Sequence, residues 1–345
     1  MAIDAVRRRV PAHIATAATT AATGTKVTPV NERDALPEMK RMIASATKSI
    51  DIIAYNFFSE SGDVKALAEQ LIAKKRDHPE VRVRVILEGD HGAAAARNLK
   101  TAELLRAAGI EVVLDSPKMV THAKGIVVDG KIILAGSTNL TNTSLGKNNE
   151  VNLKIESRTL AKHMTKWLDD VAKDPGADHT TTHKSGHVTM LTDRAYKDAL
   201  IDMIDRANHT LKVSMYYVAL DDASVKEIMA ALERAQGRCV DIKMYLEQSN
   251  ADFAPTITKA NLRARKALMA LGIDVVMDPA GKISHAKVAV RDGEEVLLGS
   301  TNWSEDDFDK RHQVNWRVED PAIAGAYDRW IDDKRAHDSE PPLGA

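Results

Sequence analysis

Two stretches of this chain carry the same reactive residues in the same order. The first is Thr121-His122-Ala123-Lys124, then Asp129-Gly130, then Gly136-Ser137-Thr138-Asn139. The second is Ser284-His285-Ala286-Lys287, then Asp292-Gly293, then Gly299-Ser300-Thr301-Asn302. An imidazole can act as nucleophile or proton donor near neutral pH. A nearby lysine can neutralise an anionic oxygen, and serine and asparagine can hydrogen-bond to it. The set suits reaction at a negatively charged centre.

Each stretch reads as strand, tight turn and returning strand, because Asp-Gly between two apolar runs is a strong hairpin signal. Alternation along the first strand puts His and Lys on one face. Ser and Asn then stand at the end of the returning strand beside it. The surrounding elements repeat too. Ser49–Phe58 and Thr210–Tyr217 read as buried strands, each preceded by a helical stretch, Leu36–Thr47 and Tyr196–Asn208. Val81–Leu87 and Val240–Leu246 follow as β-rich runs, ending on Glu88 and Glu247. His285 stands 163 residues after His122, as Gly272 does after Gly109 and Trp330 after Trp167. The two tryptophans read as core anchors of matching C-terminal helices.

Strands alternating with helices predict an α/β chain of two pseudo-symmetric α/β/α halves, each a mixed sheet flanked by helices. The expected divisions are an N-terminal extension (1–30), a first half (31–174), a linker (175–187), a second half (188–335) and a tail (336–345). The Gly-, Thr- and His-rich stretch Asp174–His187 reads as a solvated loop despite His179, His183 and His187 at four-residue spacing.

The paired motifs resemble the HKD signature of the phospholipase D superfamily, in the style of its small nuclease and cardiolipin-hydrolase branch. The repeat covers residues 36 to 335 or so. The resemblance implies two halves meeting about a pseudo-dyad so that both motifs line one cleft. It also implies a phosphodiesterase with catalytic His122, His285, Lys124, Lys287 and Glu150. Lys124 and Lys287 would neutralise the phosphoryl oxygens, and Asn139, Asn302, Ser137 and Ser300 would hydrogen-bond to them. One imidazole would attack phosphorus to form a phosphohistidine, and the other would protonate the leaving alcohol. Water or a second alcohol then opens the intermediate. No metal or other cofactor is expected. Asp129 and Asp292 support the motif from their turns.

The copies differ at one telling position. Glu150 follows His122 by 28 residues, and Gln313 stands 28 after His285. Family members carry a Glu that bonds the nucleophilic histidine's far ring nitrogen. On that basis His122, assigned Glu150, is the expected nucleophile and His285 the general acid. A carboxylate also favours an imidazolium acid, so the reverse assignment stays open.

Hydrophobic residues make up 44% of the 345 and charged residues 28%, with a net charge of −1. This is an ordinary globular composition, and it disfavours a strong non-specific nucleic-acid binder. The single Cys239 excludes an intramolecular disulfide and a cysteine-based metal cluster. No apolar run is long enough for a membrane span, and the Arg-, Ala- and Thr-rich start makes a poor secretory signal, so a cytoplasmic location is expected. Glu88 and Glu247 read as surface acids, Glu88–His91 as a substrate-contact loop, and Phe57 and Phe58 as core or substrate contacts. The partner is then a phospholipid or nucleic-acid phosphodiester. A near-neutral charge and unequal halves tip the balance to lipid, with room for peripheral membrane contact. A non-specific endonuclease acting on DNA or RNA is the alternative, and a phosphate-binding pseudoenzyme the weakest one. A monomer is expected, since both half-sites lie in one chain.

Overall fold

Ser49–Ala54 (SIDIIA) and Arg82–Leu87 (RVRVIL) are rich in β-branched residues and almost entirely buried. That pattern suits strands in the middle of a sheet covered on both faces. The computed structural model describes residues 19–20, 24–90, 92–248 and 255–342. In chain order the strands of the first half are β1 (Thr19–Thr20), β2 (Lys26–Pro29), β3 (Ser49–Ala54), β4 (Arg82–Leu87), β5 (Glu111–Leu114), β6 (Val120–Thr121), β7 (Gly125–Val128), β8 (Ile132–Gly136) and β9 (Asn152–Glu156). Those of the second are β10 (Thr182–Ser185), β11 (Val188–Thr192), β12 (Thr210–Met215), β13 (Asp241–Leu246), β14 (Asp274–Met277), β15 (Lys287–Arg291), β16 (Glu295–Gly299), β17 (Arg311–His312) and β18 (Val314–Glu319).

The two large sheets share one topology. Their orders are β1-β2-β9-β8-β7-β3-β4-β5 and β10-β11-β18-β16-β15-β12-β13-β14. In each, the three strands at one end are parallel and joined by crossover helices, and the motif hairpin adds antiparallel strands beside them. This is the expected pair of mixed α/β halves. Two segments are more ordered than the sequence suggests. β2 joins the first sheet from inside the expected N-terminal extension. β10 turns the expected loop into a hairpin with β11, its Thr-rich run closed by Gly186 at φ 62°.

The halves are not separate bodies. Helix Arg158–Lys173 buries Met164, Trp167 and Leu168, and helix Pro321–His337 buries Tyr327, Trp330 and Ile331. These side chains share one apolar cluster with Val127 and Leu153 of the first sheet and Val288 and Trp316 of the second. Trp167 and Trp330 are 2% and 3% exposed, as core anchors should be. Tyr327 Oη also donates to the Asn152 carbonyl at 2.6 Å, linking the last helix to the first sheet.

Two further devices fix the hairpins. Asp129 and Asp292 sit at φ 54° and 52°, each followed by a glycine at positive φ, as a two-residue hairpin turn needs. The Asp129 carboxylate accepts N–H bonds from Thr47, Lys48 and Ser49, and Asp292 accepts those of Asn208, His209 and Thr210. Gly136 and Gly299 let backbones meet closely: a Cβ there would lie 2.1 Å from the Val151 carbonyl oxygen and 2.5 Å from that of Val314.

Candidate active site

A buried pair of acids clamps the residue before each motif histidine. Thr121 N donates to Asp115 Oδ2 at 2.7 Å. Ser284 N donates to Glu247 Oε2 at 2.5 Å and Asp278 Oδ2 at 2.9 Å. Glu88 and Glu247, expected at the surface, are fully buried because each packs against its aspartate. Burial, and then the neighbouring glutamate, pushes Asp115 up to about 8 and Asp278 up to about 10. A proton shared within each pair avoids two buried negative charges.

The histidine backbones are pinned across the pseudo-dyad. β6 pairs in parallel with β17, and His122 N and Ala123 N donate to the His312 carbonyl at 3.0 and 2.7 Å. His285 N donates to the Asn149 carbonyl at 2.9 Å in the matching place. Gln313 therefore arrives beside His122, and Glu150 beside His285. His122 Nδ1 lies 3.1 Å from Gln313 Oε1, and His285 Nδ1 lies 3.1 Å from Glu150 Oε2. This overturns the same-half pairing of His122 with Glu150, and with it the ground on which His122 was the expected nucleophile: by the family's glutamate rule that role would pass to His285. Spacing along the chain places the acid on its own motif, whereas the cross-half bridges exchange the partners.

The serines face inward. Ser137 Oγ donates to Glu150 Oε2 at 2.5 Å, and Ser300 Oγ donates to Gln313 Oε1 at 2.6 Å. Both are fully buried. They hold the histidines' partners instead of facing a phosphate, as the resemblance implies they would. Asn139 and Asn302 do line the cleft, and the Oδ1 of each is buried without a hydrogen-bond partner.

Lys124 and Lys287 sit one layer down, 3% and 1% exposed. Each Nζ donates to the carbonyl of the histidine two residues before it, Lys287 at 2.7 Å. Each also lies over a tyrosine ring, Tyr55 at 5.1 Å and Tyr216 at 4.7 Å. The same tyrosines meet the histidine rings edge-on. Burial, followed by repulsion from Lys287, holds Lys124 well below its usual range. Burial brings Lys287 down to about 7. An anion in the cleft would relieve that repulsion.

Burial also lowers both histidines, but not equally. His122 is held well below its usual value, with Lys124, Arg311 and Lys287 adding to the effect of burial. In His285 burial and Lys287 act downward, while Glu150 acts upward. The His122 ring is thus the more readily left unprotonated of the two, and the His285 ring the more readily protonated. With both Nδ1 atoms engaged behind the rings, the Nε2 atoms are left for the cleft of about 530 Å³ that both residues line.

The comparisons with known proteins show the family and the fold. The family model described as "Cardiolipin synthase, PLD-like domain" matches residues 39–172 and again 200–335. The chain belongs to the phospholipase D superfamily. A stretch of 127 residues is 34% identical to the mitochondrial cardiolipin hydrolase of Xenopus laevis, covering 37% of this chain and 56% of that protein. Another of 140 residues is 29% identical to a phospholipase D of Rickettsia conorii, covering 40% of this chain and 64% of that one. The chain thus spans little more than half the length of the Xenopus relative. The phosphatidylserine synthase of Haemophilus influenzae has the same fold, with TM-score 0.74 at 13% identity over 94% of this chain and 88% of that one.

Within this superfamily chain the motif residues come together as a set, while several cleft residues go unmarked in the sequence reading. Tyr55, Tyr216, Asp307 and Arg311 all line the cleft. The tyrosines close matching strands, so the repeat carried a signal for them. Asp307 and Arg311 stand 163 residues after Ser144 and Asn148, so the repeat register marks them only as mismatches. Phe57 is core, whereas Phe58 reaches the cleft with the Arg97 guanidinium 3.8 Å from its ring centre. His91 lies outside the described residues.

Proposed function

We propose that this chain hydrolyses phosphodiesters through a phosphohistidine, with His122 as nucleophile and His285 as general acid. The observation that carries the reading is the pair of imidazoles lining one cleft, each held at Nδ1 from behind. Gln313 accepts the His122 Nδ1–H, so the Nε2 lone pair is free to attack phosphorus in line with the leaving oxygen. Lys124 and Lys287 neutralise the non-bridging oxygens, and the amides of Asn139 and Asn302 donate to them. His285, kept chargeable by Glu150, gives its Nε2 proton to the departing alkoxide, then takes one from the water that opens the intermediate. The P–O bond to the alcohol breaks as the P–N bond forms, and the second step reverses that exchange with water.

A phospholipid is the favoured substrate. Phe58, Tyr217, Ile257 and Ile283 give the cleft apolar wall beside its polar floor, which suits an acyl-bearing ester better than a nucleotide chain. The relatives named for cardiolipin hydrolysis and phosphatidylserine synthesis support the same class. The test is incubation with cardiolipin and phosphatidylcholine vesicles beside single-stranded DNA. Release of headgroup alcohol or phosphatidate with intact DNA is expected. DNA cleavage with inert vesicles would replace this substrate reading by the endonuclease one.

A further inference from the structure

The two halves supply unlike partners to their histidines, yet the number of carboxylates matches the number of rings. In the first half Glu150 takes His285 directly, with Ser137 donating to the same Oε2 and Asn148 lying 3.4 Å from Oε1. In the second half Gln313 Oε1 takes His122 and the Ser300 hydroxyl in the same geometry. The amide end of Gln313 does not point to solvent. Its Nε2 donates to Asp307 Oδ1 at 2.8 Å, and that oxygen also lies 3.3 Å from His122 Nδ1. Asp307 is 1% exposed. The position matching Asp307 is Ser144, so one half has Ser and Glu where the other has Asp and Gln.

We propose that Asp307 is the positioning residue for His122, supplying from the short helix Glu305–Asp309 the negative charge that Gln313 lacks. The inference rests on the phosphohistidine reading given above. A neutral glutamine fixes the tautomer of the resting ring, but attack on phosphorus leaves that ring positively charged in a buried site. After burial, the groups that most strongly disfavour a charge on it are the cations Lys124, Arg311 and Lys287. Asp307 is the anion within reach of the ring, and it is held in place. Ser304 Oγ donates to its Oδ2 at 2.7 Å, Asn302 Nδ2 donates to its Oδ1 at 3.2 Å, and Arg311 Nη1 stands 3.4 Å from Oδ2. Asn302 is thereby tied to the same carboxylate, so a cleft amide and the ring next to it share one anchor.

Three variants of the full chain test this: Asp307→Asn, Asp307→Ser, and Asp307→Ser with Gln313→Glu, which copies the Ser144 and Glu150 arrangement. The first reading is the titration of the His122 ring nitrogens by NMR without substrate. The wild type and the double variant are expected to share a midpoint about one pH unit or more above those of the single variants. The second reading is turnover of a p-nitrophenyl phosphodiester. The single variants should lose kcat on the order of a hundredfold with little change in KM, and the double variant should recover most of it. Because Asp307 N also caps its own helix on Ser304 Oγ, a lower Tm alone would mark only a structural role. A wild-type His122 midpoint no higher than that of Asp307→Asn, or a folded double variant no better than Asp307→Ser, overturns the proposal. A wild type inert toward every phosphodiester would sink the phosphodiesterase reading, while the ring titration would still decide where Asp307 acts.

Discussion

At His122 and His285 one ring type meets two environments, and the division of labour follows from charge. The sign of the pH dependence is fixed by which ring must be neutral. On the proposed roles His122 must be unprotonated to attack and is lowered further, while His285 must be protonated to donate and keeps Glu150 beside it. A working window therefore opens between them, on the acid side of the ordinary 6.5. Lys287 loses its charge at about 7, so anion binding weakens above that. The kcat/KM profile of the wild type should peak below neutrality and fall as pH rises through 7, in a pH series run with EDTA present. His285→Ala should lose roughly a thousandfold toward alkyl esters but far less toward p-nitrophenyl esters, whose leaving group needs no proton. Equal losses on both would remove His285 from the acid role. The motif residues themselves were legible from their order alone. The partners of the two rings were not, because residue spacing carries no record of which half a side chain faces.

Among the elements, the hairpins and the strands that feed them leave no room for a side chain at Gly136 and Gly299. Gly136 has no room for a side chain against Val151, so Gly136→Ala should shift the returning strand and carry Ser137 and Asn139 with it. A loss of stability of about 2 kcal/mol or more in urea melts is expected. The buried acid pairs make a different prediction. Asp278 is raised in the folded chain, so its protonated form contributes stability that is present below the unfolded value and is lost as pH rises toward 10. Asp278→Asn keeps a donor toward Glu247 and should flatten that alkaline decline between pH 5 and 9. An unchanged slope of urea midpoint against pH would show that the pair shares no proton. Strand periodicity and the Asp-Gly turns made these hairpins readable in advance. The acids after β4 and β13 misled, because a carboxylate at a strand end is normally solvated. Only the tertiary approach of Asp115 and Asp278 buries them.

For the whole molecule, the repeat of 163 residues predicted two like halves, and the shared core shows how they become one body. The last helix packs Tyr327 and Trp330 between both sheets, and β17 and Asn149 each pin the other half's histidine loop. These contacts give each chain one candidate site. Specific activity should therefore be independent of protein concentration, and mixing His122→Ala with His285→Ala chains should restore nothing. Recovery on mixing would require halves that exchange between chains. Trp330→Ala should cost about 3–5 kcal/mol in a urea melt through the cavity it leaves at this junction. The strand β2 and the hairpin β10–β11 extend the halves beyond the residues that the repeat itself marks. The short polar sequences of β2 and β10 look like loops until an edge strand is there to pair with them.

The P–N bond proposed to form on His122 can be located directly. Wild-type chain mixed with a p-nitrophenyl phosphodiester, quenched in base within one turnover and digested, should yield a phosphorylated peptide containing His122. His285→Ala should accumulate more of the same adduct, since cleavage of its P–N bond by water is slowed without the base that takes the water's proton. An adduct on His285, or turnover with no adduct on either ring, would contradict the account.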